Sequence, residues 1–219
     1  MSASSMFQQH TIEIYLILTC IALISLYHLT FYLKIKRHPE LTSIGRNNSV
    51  RLKWVQTVME ERRDILAVQT LRNWSMAATF LASTAIIISL GSLSIALTTD
   101  RLTDASLAFN FIGEQSKKLW AIKLLLISVN FFIAFFNFML AVRYYNHVPF
   151  LITIAPEKDP SITPEVTTQV VNRAAKYNAL GMRGYYFSIP LTMWLLGPSW
   201  MLIGTVILII LLHYLDKRD

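Results

Sequence analysis

Apolar residues dominate four long stretches of this chain, and polar or charged residues separate them. A helix needs about 20 apolar residues to cross a hydrocarbon core of about 30 Å. Each stretch must be helical, because an isolated strand would leave its backbone N–H and C=O groups unpaired in lipid. The pattern predicts an all-α integral membrane four-helix bundle in one domain, residues 1–219, with spans at about 11–33, 74–97, 119–142 and 185–214.

Two charged side chains interrupt these stretches, Glu13 and Lys123. We expect Glu13, near a helix end, to reach water, and Lys123, four residues into its helix, to snorkel outward. The composition agrees with a lipid environment, since 54% of the residues are hydrophobic and only 15% are charged. Soluble domains have about a quarter of their residues charged.

The basic residues predict the orientation. Segment 34–73 carries nine Lys and Arg residues and segment 143–183 carries five, whereas 98–116 carries only Arg101 against three acidic residues. Cytoplasmic loops are enriched in Lys and Arg. We therefore expect both long connectors in the cytoplasm and both termini outside, although Lys217 and Arg218 oppose this placement of the C-terminus.

The net charge of +7 does not indicate nucleic acid as a partner, because the basic residues lie beside apolar stretches. The lipid bilayer is the expected partner, including anionic lipids. Cys20 is the only cysteine, which excludes an intrachain disulfide and a multi-cysteine metal site.

Each cytoplasmic connector is predicted to contain an amphipathic surface helix. The first covers about 50–72, where Trp54, Val58, Ile65 and Val68 belong to one apolar face. Its apolar face is equally expected to contact lipid or to pack against neighbouring cytoplasmic elements.

The second surface helix covers about 164–181. Thr163 can cap its first turn, and Glu165 complements the positive end of the helix dipole. Gly181 or Gly184 is expected to end it.

Small residues recur in the second span at spacings of three and four. One stripe contains Ala78, Ala82, Ala85, Ser89, Ser92 and Ala96, and such a stripe lets two helix backbones approach closely. The stripe predicts a packing face.

Polar residues recur every seven positions in the third span, at Lys123, Asn130, Asn137 and Tyr144. They share one helix face, which should point into the bundle because an amide facing lipid is costly. Two interpretations stay open: a polar seam that guides an ion or solute, and interhelical hydrogen bonds.

The fourth span contains a predicted helix break at Pro190, Gly197 and Pro198. Proline removes a hydrogen bond to the carbonyl four residues earlier, which frees the carbonyls of Tyr186 and Trp194. Transporters coordinate ions with such broken helices, but a proline can also only kink a helix.

No cofactor is predicted. A haem would need two histidines at one depth, and His28, His147 and His213 fall at different depths. No metal site and no catalytic residues are assigned, since phosphate-loop, zinc-protease, serine-hydrolase and dinucleotide motifs are absent from the sequence.

Several sequence motifs along the chain are typical of one membrane family. They are Tyr27-His28, Pro39, Leu41 to Asn47, Arg51, Trp54-Val55, Asp64 to Asn73, Ala141 to Val148, Arg183 to Leu191, Trp194 and Gly197-Pro198. With them the chain resembles the family catalogued as domain of unknown function 599 (DUF599), found in bacteria and plants. The resemblance covers nearly the whole chain and implies a multi-spanning fold, with no activity attached.

Polar residues in these motifs gather near the predicted cytoplasmic ends of the spans. They are His28, Gln69, Arg72, Asn73, Arg143, Asn146, His147 and Arg183. One hypothesis is a basic pocket for an anionic group, such as a lipid headgroup or a soluble anion. The other is that the arginines anchor helix ends and enforce topology.

The leading functional interpretation is a non-catalytic membrane protein, either an accessory subunit of a larger complex or a lipid-contacting scaffold. Its partners would be other membrane subunits or further copies of itself, in a bacterial inner (plasma) membrane. The alternative is a small transporter or channel that uses the seam and the helix break. A membrane-interface enzyme or haem-binding subunit ranks third.

Overall fold

The computed structural model describes residues 3–37, 43–98, 117–154 and 158–216, with side chains from Thr11 onward except at 35 and 117. Within these ranges the chain is all-α, as predicted, and contains no strand. Arg101, Lys217 and Arg218 lie outside the described residues. The helices are α1 (Ala3–Arg37), α2 (Ser43–Glu60), α3 (Asp64–Leu97), α4 (Lys117–Thr153), α5 (Pro164–Leu196) and α6 (Pro198–Asp216).

Four helices in the described part of the chain are long and apolar enough to cross a membrane. Their apolar segments are Thr11–Lys34, Asp64–Leu97, Lys118–Thr153 and Pro198–Asp216. A helical protein with four such segments belongs in a membrane, which confirms the predicted class.

Helix α5 is less apolar than these four, yet it runs antiparallel to α4 over the same depth. The Tyr177 ring stacks on Tyr144 at one end, with ring centroids 5.6 Å apart. At the other end, the Trp194 carbonyl oxygen lies 3.1 Å from Lys123 Nζ. The 17 residues between these contacts rise about 25 Å. Five helices therefore lie side by side: α1, α3, α4, α5 and α6.

The predicted fourth span, 185–214, is two helices that form a hairpin. Helix α5 ends at Leu196, Gly197 adopts a φ of 139°, and α6 begins at Pro198. A φ in that range favours glycine, and proline has no N–H to continue the first helix. The chain reverses there, and the Asp216 carboxylate returns to pair with Arg183.

The reversal places the first turns of α1 and the end of α6 at opposite ends of the bundle. On α1, Glu13 lies beside Lys123, whereas on α6 Asp216 lies beside Arg183, at the other end of the bundle. The expectation that both ends lie on one side does not fit this arrangement.

The turn between α2 and α3 lies at 61–63, inside the surface helix expected at 50–72. Arg62 makes it with a φ of 53°. Neither glycine nor proline marks this turn, so the sequence pattern missed it.

The expected end of the second surface helix is also wrong, because α5 continues through Gly181 and Gly184. These glycines lie where α4 approaches. A Cβ added to Gly181 would lie 2.7 Å from the Phe138 ring, and one added to Gly184 would lie 2.8 Å from the Ala134 Cβ. Their role is close helix contact.

Helix α2 packs against the ends of α3, α4 and α5 and forms a folded lobe with them. The lobe core consists of Val55, Val58, Met59, Ala67, Leu71, Ala141, Tyr145, Val148, Ile152, Ile162, Val171 and Ala174. Arg51 Nη1 donates to Asn172 Oδ1 at 3.2 Å beside this core, and burial lowers the pKa of the Arg51 guanidinium. For α2, the structure shows packing against neighbouring elements. Ile65 of the predicted apolar face lies beyond the turn, in α3, and is exposed.

The small-residue stripe of α3 is buried against α4. Ala78, Ala82 and Ala85 pack against Ile127 and other α4 side chains. The prediction of a packing face is confirmed from Ala78 to Ser89, whereas Ser92 and Ala96 are only half-buried.

Candidate functional site

Two of the polar residues predicted as a seam on α4, Asn130 and Tyr144, contact α5 at its middle and lobe end. Asn130 Nδ2 donates to the Gly184 carbonyl at 2.8 Å, and Tyr144 stacks on Tyr177. Asn137 Nδ2 instead donates to Ile133 O within its own helix, at 2.9 Å.

Little space is left between α4 and α5 along these residues. Gly181 packs against the Phe138 ring and Gly184 against Ala134, each so closely that an added Cβ would clash. Phe138 and Ala134 are fully buried. The α4–α5 seam is thus a helix–helix contact with close packing at its centre.

Lys123 lies at the helix break. Its ammonium donates to the Trp194 carbonyl at 3.1 Å, lies 5.0 Å from the centroid of the Trp194 ring and is 3.6 Å from Glu13 Oε1. The Trp194 carbonyl also accepts from the N–H of Gly197. Residue Lys123 is 2% exposed and Glu13 is 4% exposed, so the expectations of snorkelling and water contact were wrong. We call this group the Lys123 anchor.

A second charged group joins α1, α5 and α6 nearer the lobe. Arg183 Nη2 donates to both carboxylate oxygens of Asp216, each at 3.0 Å, and Tyr27 Oη donates to Asp216 Oδ2 at 3.0 Å. His28 Nε2 lies 3.3 Å from Arg183 Nη1. We call these four residues the Arg183 anchor.

The hydrogen bonds of His28 identify its tautomer. Nδ1 lies 2.9 Å from the carbonyl oxygen of Ile24, which can only accept, so Nδ1 carries the proton. Nε2 then accepts from Arg183. The His28 ring also stacks against Phe187, with ring centroids 5.6 Å apart.

The eight polar residues expected near the cytoplasmic side do not form one pocket. His28 and Arg183 meet, but Asp216 balances the Arg183 charge. Arg72 and Asn146 line a separate groove between α3 and α4. The other four side chains, Gln69, Asn73, Arg143 and His147, are exposed on α3 and α4.

The α3–α4 groove has a volume of about 530 Å³ and is mostly apolar. Arg72, Ser75, Met76, Phe80, Asn146 and Phe150 are among its lining residues. Ser75 Oγ donates to Asn146 Oδ1 at 2.8 Å and ties the two helices together beneath it.

Sequence reasoning missed two polar contacts. Ser89 and Ser128 exchange hydrogen bonds, because each hydroxyl donates to the other residue's carbonyl at 2.8 Å. Asp216, the partner of Arg183, was also missed. Ser89 belonged to the recognised small-residue stripe, but only the hairpin brings Asp216 to Arg183.

Within the described residues, no three His, Cys, Asp or Glu side chains are placed to hold a metal ion. His28 is committed to Ile24 and Arg183, while His147 and His213 are exposed on α4 and α6.

Comparison with known proteins identifies the family of this chain but assigns it no activity. No curated protein and no solved structure matches this chain. A family model described as "Protein of unknown function, DUF599" matches residues 15–219, essentially the whole chain. The motifs, the membrane helices and this match agree: the chain belongs to the DUF599 family.

Proposed function

We propose that this protein is a non-catalytic membrane scaffold, an accessory subunit that presents its lobe to other components. The observation that carries the proposal is the closed α4–α5 seam. The polar groups Asn130 and Tyr144, which could have lined a path, contact α5, and Gly184 packs directly on Ala134. A polar residue used in this way holds helices together and leaves no room for a solute.

In the proposed topology the chain crosses a bacterial inner membrane five times, and the lobe lies on the cytoplasmic side. Helix α1 would begin outside, and α6 would end on the lobe side. Lys217 and Arg218, which follow Asp216 in sequence, then join the other basic segments on the cytoplasmic side, as the positive-inside rule requires.

Green fluorescent protein fused after Asp219 tests this topology, because it becomes fluorescent in the bacterial cytoplasm and not after export in an unfolded state. We expect a fluorescent fusion. A dark fusion whose C-terminus is accessible from outside the cell would overturn the five-crossing arrangement.

Gentle extraction tests the scaffold proposal. Tagged protein solubilised in a mild detergent should migrate on native electrophoresis as a complex larger than the 25.1 kDa chain with its micelle. Substitutions on the exposed face of the lobe should release the partner without unfolding the bundle. Migration of the chain alone, at native expression levels and in several mild detergents, would overturn the proposal.

A transporter is the second candidate, and the charges within the bundle favour it. Glu13, Lys123, Arg183 and Asp216 are ionisable groups at membrane depth, where such groups often serve ion or proton pathways. In proteoliposomes, this candidate requires a solute-dependent or proton flux that Glu13→Gln abolishes. Flux that is absent, or unchanged by Glu13→Gln, would exclude a path through the Lys123 anchor.

A further inference from the structure

The α3–α4 groove runs from the edge of the lobe toward the middle of the bundle. Trp74 and Tyr145 pack together beside it, with ring centroids 5.7 Å apart, and Trp54 packs on Trp74. Trp and Tyr concentrate at membrane interfaces. Arg72 precedes Trp74 by two residues, while Phe80 follows it by six, about 9 Å deeper along α3. The groove therefore has a polar part, at Arg72 and Asn146 near the level of these rings, and an apolar part deeper along α3, at Met76 and Phe80.

Two aromatic side chains border the groove at opposite ends, because α3 and α4 run antiparallel with Ser75 opposite Asn146. Phe80 lies deeper than this pair, and Phe150 lies on its lobe side. Phe80 on α3 is 69% exposed and Phe150 on α4 is 67% exposed. A volume of about 530 Å³ is large enough for a segment of one acyl chain and its glycerol attachment.

The polar part of the groove carries a positive charge without a counter-ion from the protein. No acidic side chain of the described ranges pairs with Arg72, in contrast to Arg183, which Asp216 neutralises. Asn146 accepts from Ser75 through Oδ1, so its amide nitrogen is available to donate. A guanidinium and an amide donor beside an apolar part of the groove complement a phosphate joined to a hydrocarbon chain.

We propose that the groove binds one membrane glycerophospholipid, with its phosphate between Arg72 and Asn146 and one acyl chain along Met76 and Phe80. This deepens the proposed scaffold function by naming what one of its faces binds. The lipid site depends on the scaffold proposal only for its biological role, because all of its residues belong to one chain.

Native mass spectrometry of the purified protein tests the site. After delipidation, the probe is phosphatidylglycerol added back in detergent. Wild-type protein should bind one phosphatidylglycerol with saturation, and Arg72→Gln should weaken that binding at least tenfold. Met76→Trp, which fills the apolar part of the groove, should weaken it without changing any charge.

Arg143→Gln is the matched control, since Arg143 is an exposed arginine of α4 that does not line the groove. It should bind like wild type. Equal binding by wild type, Arg72→Gln and Met76→Trp would overturn the proposal. So would a second protein chain occupying the groove, seen as a dimer that excludes the lipid.

The same samples separate this site from the scaffold function. If Arg72→Gln loses the lipid but keeps its native-electrophoresis complex, both proposals stand and the lipid is not the link to the partner. If the lipid binds but no complex exists in the wild type, the lipid site stands and the scaffold function fails.

Discussion

Helices α1 and α4 occupy the same bundle but are held in different ways. In the most apolar window of α4, 33% of the residues are buried, whereas in α1 only 6% are. Helix α4 packs through small residues and reciprocal neutral hydrogen bonds, such as those of Ser89 and Ser128. Helix α1 contacts the bundle with few close apolar contacts, and its two charged anchors fix its place.

This difference between α1 and α4 follows from the lipid that surrounds both helices. Apolar surface gains little by leaving lipid for another helix, so helices associate through close packing and polar contacts. Where backbones approach closely, as at Gly184 and Ala134, packing suffices. Where helix backbones do not approach closely, as along α1, charged groups have to determine where the helix docks.

The two anchors also differ from each other. In the Arg183 anchor, a two-pronged guanidinium meets one carboxylate, and the side chains of Arg183 and Asp216 are 20% and 13% exposed. In the Lys123 anchor, a single ammonium meets a carbonyl and a carboxylate, and the side chains of Lys123 and Glu13 are 2% and 5% exposed. A lysine can lose its proton when its partner is removed, whereas an arginine cannot.

The largest effect is expected from Asp216→Leu. It leaves the Arg183 guanidinium charged without a carboxylate and also removes the acceptor of Tyr27, so unfolding should become easier by roughly 3–5 kcal/mol. Thermal or SDS unfolding of purified protein in detergent measures the loss.

The double variant Arg183→Met with Asp216→Leu is its control. An apolar pair of similar size should recover most of the stability, because no unpaired charge is left. A double variant as unstable as Asp216→Leu would show that the anchor acts through shape and not through charge.

The next effect concerns packing at α4. Gly184→Ala places a methyl group 2.8 Å from the Ala134 Cβ, which is fixed to its backbone. The helices must move apart and stretch the Asn130 hydrogen bond, at an expected cost of roughly 2–3 kcal/mol in unfolding free energy.

Gly91→Ala serves as its matched control, since an added Cβ at Gly91 meets nothing within 4 Å. Alanine favours helix over glycine, so this variant should be as stable as wild type or up to about 1 kcal/mol more stable. Equal destabilisation of both variants would remove the argument that α5 glycines set the helix distance.

A smaller loss is expected from Glu13→Gln at the Lys123 anchor. The amide keeps an oxygen near Lys123 but loses the charge, and Lys123 keeps its hydrogen bond to Trp194. The cost should be roughly 1–2 kcal/mol by the same unfolding measurement, below that of Asp216→Leu. If Glu13→Gln proved the more damaging of the two, the ranking of the anchors would be reversed.

The sequence predicted the helical class and the packing stripe because both follow from local composition. Hydropathy could not show that α5 runs beside α4, since α5 carries Arg183 and polar residues whose partners come from other helices. The turn at Arg62 lacks any glycine or proline signal. Asp216 could be matched to Arg183 only once Gly197 was known to reverse the chain.

The smallest effect separates two asparagines that look alike in sequence. Asn130 donates to Gly184 of the neighbouring helix, whereas Asn137 donates to Ile133 of its own helix. Asn130→Leu should therefore cost about 1 kcal/mol, the usual worth of an interhelical hydrogen bond in a membrane, and Asn137→Leu close to nothing. Unfolding of the two variants side by side in one detergent measures the difference. Equal losses would mean that the contact of Asn130 with α5 does not determine how much each asparagine contributes to stability. The closed seam would then lose its main support.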